Sequence, residues 1–277
     1  MGGSGFSGAF GNAERTGDRF VDSRAFELLA RGGFVARSVV YAIMGILAFK
    51  LALGNGGTTV NQQGALRTVA EQPFGHLLLT LLAIGLGGYA LWRLFRAALG
   101  HGPEGSDTGP ERLAALASGA VYAGLCAIAV EMLIGSGGGQ GTSSSSSAGV
   151  LGSPLGRWLV GLAGAVAIGI GLVQGYRALG KGFLKESKTE RMGRTTRMWF
   201  GRIGMVGHLG RMLVFALVGV FLVKAALDYN PSDAVGLDGA LAKLLRHSYG
   251  AVAVGVVAGG MIAFALYSLV DARYHRI

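Results

Sequence analysis

Six stretches of the chain are each long and apolar enough to cross a lipid bilayer, and this feature restricts the possible folds most. They run over Phe34–Leu53, Phe74–Ala97, Arg112–Ile134, Leu155–Leu179, Gly207–Leu227 and Tyr249–Ala272. A hydrocarbon core about 30 Å thick takes roughly 20 helical residues to span. The runs are continuous, without the alternation of a half-buried strand. In lipid every backbone N–H and C=O must be satisfied within the protein, so each run is expected to be a helix. The expected fold class is an all-α membrane protein with six transmembrane helices.

Composition agrees. The chain of 277 residues is 51% hydrophobic and only 14% charged, and its net charge is +10. A nucleic-acid binder of that balance would carry far more charge in total, so no nucleic-acid partner is expected. The positive residues are asymmetrically placed. If the N-terminus, the connections 98–111 and 180–206 and the C-terminus share one side, only Lys50, Arg67, Arg157, Lys224, Lys243 and Arg246 of the 25 Lys and Arg fall on the other. The positive-inside rule then puts both termini in the cytoplasm. Residues 1–30 read as a flexible cytoplasmic tail, with an interfacial helix possible over Asp22–Arg31.

The chain also repeats itself. A slide of 174 residues lays Arg37-Ser-Val-Val-Tyr-Ala-Ile-Met-Gly45 over Arg211-Met-Leu-Val-Phe-Ala-Leu-Val-Gly219, and Lys50 over Lys224. A slide of 81 lays Arg31 over Arg112, Tyr41 over Tyr122 and Lys50 over Glu131. Each repeat holds two spans, so the repeats share one orientation, unlike the inverted repeats of many transporters. The reading is three parallel helical hairpins at about 31–99, 112–180 and 205–274, in one domain over 31–277, arranged as a pseudo-threefold bundle.

Two stretches carry a family resemblance: Leu-Leu-Ala-Arg-Gly-Gly-Phe-Val-Ala-Arg-x-Val-Val-Tyr at 28–41 and Leu-Tyr-Ser-Leu-Val-Asp-Ala-Arg-Tyr at 266–274. They resemble the repeat signature of a bacterial membrane family, the domain of unknown function 1206 family, over roughly 25–277. The second repeat departs, with Ser118 where the others have Arg37 and Arg211. The resemblance implies three two-helix repeats in the bacterial cytoplasmic membrane, and it brings no activity.

Two layers of charge are the candidate site. Lys50, Glu131 and Lys224 share one repeat position, three residues before the outer helix ends. That is about 4.5 Å of rise, which a lysine can cover by snorkelling, and Glu131 is expected to pair with one of the lysines. At the inner ends Arg37, Arg96, Arg177, Arg211 and Asp271 form a positive-rich layer with one acid. Such arginines fix topology against headgroups, and in a ring they can also receive an anion. His208 with Arg202 and Arg211 is a second place for an anion. Tyr41, Tyr122 and Phe215 read as packing aromatics. Tyr41 and Lys50, nine residues apart, point to opposite faces of a straight helix.

Small residues at four-residue spacing, Gly161/Ala165/Gly169 and Gly255/Gly259/Ala263, read as helix seams. The connection 180–206 reads as a basic loop lying against anionic lipid headgroups. No catalytic motif, metal-ligand spacing or cofactor fingerprint is present. The expectation is therefore a non-enzymatic structural or interaction protein without cofactor, in contact with anionic lipids and with an unidentified protein partner possible. A small-solute or ion transporter or channel is the alternative.

Overall fold

The computed structural model describes residues 24–55, 59–99, 109–135, 154–228 and 234–275. Six long helices account for the apolar runs: α1 (Arg24–Ala52), α3 (Gly75–Leu99), α4 (Gly109–Ile134), α5 (Pro154–Leu179), α6 (Arg194–Asp228) and α8 (Gly250–Tyr274). All six are long and apolar enough to cross a membrane. Two short helices, α2 (Gln62–Ala70) and α7 (Leu237–Leu245), lie in the first and third outer connections. Most of the N-terminal tail and the serine run at 143–147 lie outside the described residues. The helix proposed over Asp22–Arg31 is, from Arg24 on, the first turns of α1.

Among the long helices, α1 packs on α3, α3 on α4, α5 on α6, α6 on α8, and α8 returns to α1. The contacts depart from a threefold pattern at one place. The two spans of the second hairpin, α4 and α5, share no packed face. In their most apolar windows α4, α5 and α6 bury 22% of the residues, against 50% in α1, α3 and α8.

The first and last helices meet through a capped end. Arg31 of α1 donates to the C-terminal carbonyl of Ala272 on α8 at 2.9 Å. Arg112, its equivalent one repeat on, donates to Ala97 O at the end of α3 at 3.0 Å. Both satisfy orphan carbonyls of a preceding helix and set a cation at its negative end.

The outer half of the bundle is filled by Met44, Leu47, Leu79, Leu82, Val254 and Met261, and α2 and α7 dip into it with Leu66 and Leu241 fully buried. The first and third repeats build this cap alike. Gly64 in α2 and Gly239 in α7 each sit where a Cβ would strike the turn before the helix, at Thr59 O and at the Val235 side chain. The same backbone turn follows: Gly75 N–H reaches Gln72 O at 2.8 Å, and Gly250 N–H reaches His247 O at 2.8 Å. In both outer connections the glycine pair brackets a short helix, Gly64 and Gly75 around α2 and Gly239 and Gly250 around α7.

Glycine also sets the seams, one register away from the stripes expected. Gly169, Gly255 and Gly259 face open space, and Gly161 alone of those glycines touches a neighbour, the Ala226 Cβ. Backbones instead meet at Gly210 with Gly260, where a Cβ would stand 2.5 Å from the other Cα, and at Gly164 with Gly219. In helices this rich in glycine the four-residue spacing occurs on several faces, and the neighbour decides which one packs.

Candidate functional site

The inner half of the bundle is polar, and every long helix contributes to it. Arg37 of α1 is 5% exposed. It donates to the Tyr89 hydroxyl of α3 at 2.7 Å and pairs with Asp271 of α8 at 3.6 Å. Tyr89 packs edge-on against Tyr122 of α4, with centroids 4.5 Å apart. On α6, His208 lies 3.0 Å from the Gln174 side chain of α5. The Gln174 amide fits its neighbours with the nitrogen facing His208 Nδ1 and the oxygen facing the Arg211 guanidinium at 3.2 Å. That orientation makes His208 Nδ1 an acceptor and leaves its proton on Nε2.

Asp271 is the acid of this interior, and its oxygens are taken. Oδ1 accepts from Ser187 Oγ at 2.7 Å and from His275 Nδ1 at 3.1 Å, while Oδ2 faces Arg37. Ser187 belongs to the connection 180–193, the first part of the basic stretch 180–206, and this connection folds back onto the end of α8. It leaves α5 through Lys181 in the left-handed conformation and makes two 3₁₀ turns. It then bridges to the end of α8, with Lys188 N–H on Tyr274 O at 2.7 Å. Phe183, Ser187 and Met192 are buried, and Lys181, Lys185 and Arg191 stay exposed. The following cations, Arg194, Arg197 and Arg202, already belong to α6, which begins 13 residues before the expected Gly207.

Of the inner layer proposed from sequence, the structure gathers Arg37, Arg211 and Asp271. Arg177 is peripheral and pairs with Glu186 of the connection at 3.4 Å. Arg96 stacks over Trp92 at 5.9 Å. The outer layer does not form a buried cluster, since Lys50, Glu131 and Lys224 are all exposed at the helix ends. Exposed charges contribute little to stability. Lys50→Gln, Glu131→Gln and Lys224→Gln should each change thermal stability in detergent by less than about 1 kcal/mol. A larger loss would show that these residues are coupled.

Tyr41, Tyr122 and Phe215 line the interior. Tyr41 packs on Phe264 at 4.7 Å, and Arg211 lies 5.8 Å and 5.6 Å from the Tyr41 and Phe215 centroids. His208 and Arg211 do come together, while Arg202 is exposed and stacks on Trp199 at 5.8 Å. Sequence reasoning missed Tyr89, Gln174, Ser187 and His275. A readable signal existed for two of them. His275 is one helical turn beyond Asp271, and Gln174 is a polar residue within an apolar span. Cys126 is a seam residue, its Sγ 3.3 Å from Ala83 O. Among the described residues no three His, Cys, Asp or Glu are grouped to hold a metal.

Repeats one and three also match in side-chain geometry. Phe34 meets Tyr89 at 5.2 Å and 85°, and Trp92 at 5.3 Å and 56°. At the equivalent positions His208 meets Phe264 at 5.4 Å and 80°, and Tyr267 at 5.1 Å and 63°. A ring from another segment covers each triad: His275 at the end of α8 lies 4.4 Å from Phe34, and Phe183 of the connection 180–193 lies 5.0 Å from His208. The second repeat has Ala115, Ile170 and Val173 at these places and forms no such triad.

Six apolar spans, three hairpin repeats and a buried arginine–aromatic interior define a polytopic helical membrane protein. The chain belongs to the family described as Domain of Unknown Function (DUF1206), whose model matches residues 32–104, 113–181 and 206–275. It is 33% identical over 250 residues to the uncharacterized protein YxxB of Bacillus subtilis (strain 168), covering 89% of this chain and 90% of that protein. No solved structure matches it.

Proposed function

We propose that this is a multi-pass protein of the bacterial cytoplasmic membrane, with both termini in the cytoplasm, that acts by binding and not by catalysis or solute passage. The observation that carries this is the filled outer half. Leu66 and Leu241 enter from α2 and α7 onto Met44, Leu79 and Met261, closing the polar interior from the outer side with an apolar plug. Among the described residues, these close-packed apolar side chains oppose the passage of an ion, whose transfer into such a medium costs many kcal/mol. The exposed cations Lys181, Lys185, Arg191, Arg194, Arg197 and Arg202 support a cytoplasmic inner face, where anionic headgroups attract them.

Two measurements test the reading. Proteoliposomes holding the full chain should pass protons, potassium, chloride and phosphate no faster than protein-free vesicles. Sustained flux would replace binding with conduction. In a Cys126→Ser background, Arg191→Cys should react with a membrane-impermeant thiol reagent only after the cells are opened, and Glu71→Cys in intact spheroplasts. The reverse pattern would invert the topology.

A further inference from the structure

The equivalence of repeats one and three exposes an imbalance between their two interior arginines. Arg37 has two oxygen partners, the Tyr89 hydroxyl at 2.7 Å and the Asp271 carboxylate at 3.6 Å. Arg211 occupies the same repeat position and lacks both. Where repeat one has Tyr89, repeat three has Phe264, which offers Arg211 a ring face at 4.6 Å and no oxygen. Where Arg37 meets Asp271, the aligned residue ending the second repeat is Arg177, a cation paired with Glu186. Among the described residues Arg211 has no carboxylate partner, and the Gln174 amide oxygen is its one polar contact.

The same corner holds a second departure. His208 replaces Phe34 in the aromatic triad, and it brings a donor that the triad does not need. With Nδ1 accepting from Gln174, the Nε2 proton is buried and unpartnered. Arg211 Nε and Arg37 Nε are buried and unpartnered as well. All three are N–H donors, and their groups surround one ring: the Arg37 and Arg211 guanidinium carbons and the His208 ring lie 5.2, 4.6 and 5.4 Å from the Phe264 centroid. Buried donors are nearly always satisfied, and Arg211, partly buried with its Nε sealed off, has no acid to offset its charge. Here the one carboxylate, Asp271, is taken by Arg37, Ser187 and His275, and none among the described residues reaches Arg211.

We propose that this corner is an oxyanion-binding site, in which a phosphate-class group accepts from Arg211 and His208, with Arg37 at its edge. The anion takes the place that Asp271 and the Tyr89 hydroxyl fill for Arg37. The planar guanidinium fork suits phosphate oxygens, and a neutral histidine adds a single directed donor. Entry lies between α4 and α5, the neighbouring spans that share no packed face; Tyr122 and Gln174, one on each, are only partly buried. Such an opening admits a lipid phosphate from the membrane, and a free phosphate can arrive from the inner side. The site goes beyond the binding role proposed above, and it stands or falls separately from the flux measurement.

The test uses the full chain, purified in neutral detergent without phosphate. Thermal unfolding is followed against inorganic phosphate. A parallel sample in nanodiscs of phosphatidylcholine, with or without phosphatidylglycerol, is scored for retained lipid by native mass spectrometry. Arg211→Gln should weaken anion binding at least about tenfold, the loss expected of a charge-assisted donor pair. Arg202→Gln, an exposed charge on the same helix, should leave it within about twofold. His208→Phe restores the residue of repeat one, so it should fold normally and still weaken binding. A phosphate response lost in Arg211→Gln and His208→Phe identifies a free anion. Phosphatidylglycerol retention lost in the same two variants identifies a lipid headgroup. Wild-type protein that binds neither, equal losses in Arg202→Gln, or wild-type binding in a folded His208→Phe and Arg211→Gln would each overturn the proposal.

Discussion

Gly260→Leu is expected to break the α6–α8 seam and remove most of the folded protein. A Cβ at Gly260 would stand 2.5 Å from the Gly210 Cα, and the reciprocal contact is the same, so neither side is a side chain that can rotate away. The helices must separate along their whole line of contact. This line also carries Gly207 against the Phe264 backbone, where a Cβ would come within 2.6 Å. Overpacking of this kind costs about 1–3 kcal/mol where side chains can adjust, and more where backbone meets backbone. The neighbouring Gly259 supplies the control, because it is exposed and its Cβ position meets nothing within 4 Å. Gly259→Leu should leave stability within about 0.5 kcal/mol. Thermal unfolding in detergent, read by tryptophan fluorescence, separates the two. Equal losses would mean that the helix faces are assigned wrongly.

Asp271→Asn carries the second large effect. The carboxylate is 2% exposed and holds three groups from three segments: Arg37 on α1, Ser187 in the connection 180–193 and His275 one turn along α8. Removing its charge leaves Arg37 buried against a neutral amide. Breaking one partner out of a buried ion pair costs about 3–5 kcal/mol. The connection should loosen along with the pair, since its other hydrogen bond to α8 among the described residues is the Lys188–Tyr274 backbone bond. Proteolysis between Gly180 and Gly193 should therefore accelerate in Asp271→Asn. Arg96→Gln, which removes a peripheral charge of the same proposed layer, should do neither. A stable, protease-resistant Asp271→Asn would show that the pair is incidental.

The sequence makes the membrane class, the six spans and the three repeats legible, because lipid enforces long apolar helices and an offset comparison exposes the copies. It also puts Asp271 at the depth of Arg37, Arg96, Arg177 and Arg211 without saying which of the four pairs with it; the structure makes it Arg37. Rotation about each helix axis is what it hides. Lipid and protein interior are equally apolar, so hydropathy does not say that Gly260 packs while Gly259 faces outward. The same ambiguity hid Tyr89 and Gln174, whose roles depend on facing inward. The outer charge layer depends on the same rotation. Lys50, Glu131 and Lys224 share a repeat position, yet the face that carries them points away from the interior, as the half-turn between Tyr41 and Lys50 implies. The connection 180–193 was opaque because a basic composition masked Phe183, Ser187 and Met192, the residues that fold it back.

The polar interior is one connected structure that closes the first helix onto the last. A double-mutant cycle of Arg37→Gln and Asp271→Asn, measured by thermal or denaturant unfolding of the purified protein, tests this directly. The pair is buried on both sides, at 6% and 2% exposure. The double variant should therefore be more stable than additive single losses would allow, with a coupling of about 2 kcal/mol or more. Additive losses, with coupling below about 0.5 kcal/mol, would contradict it.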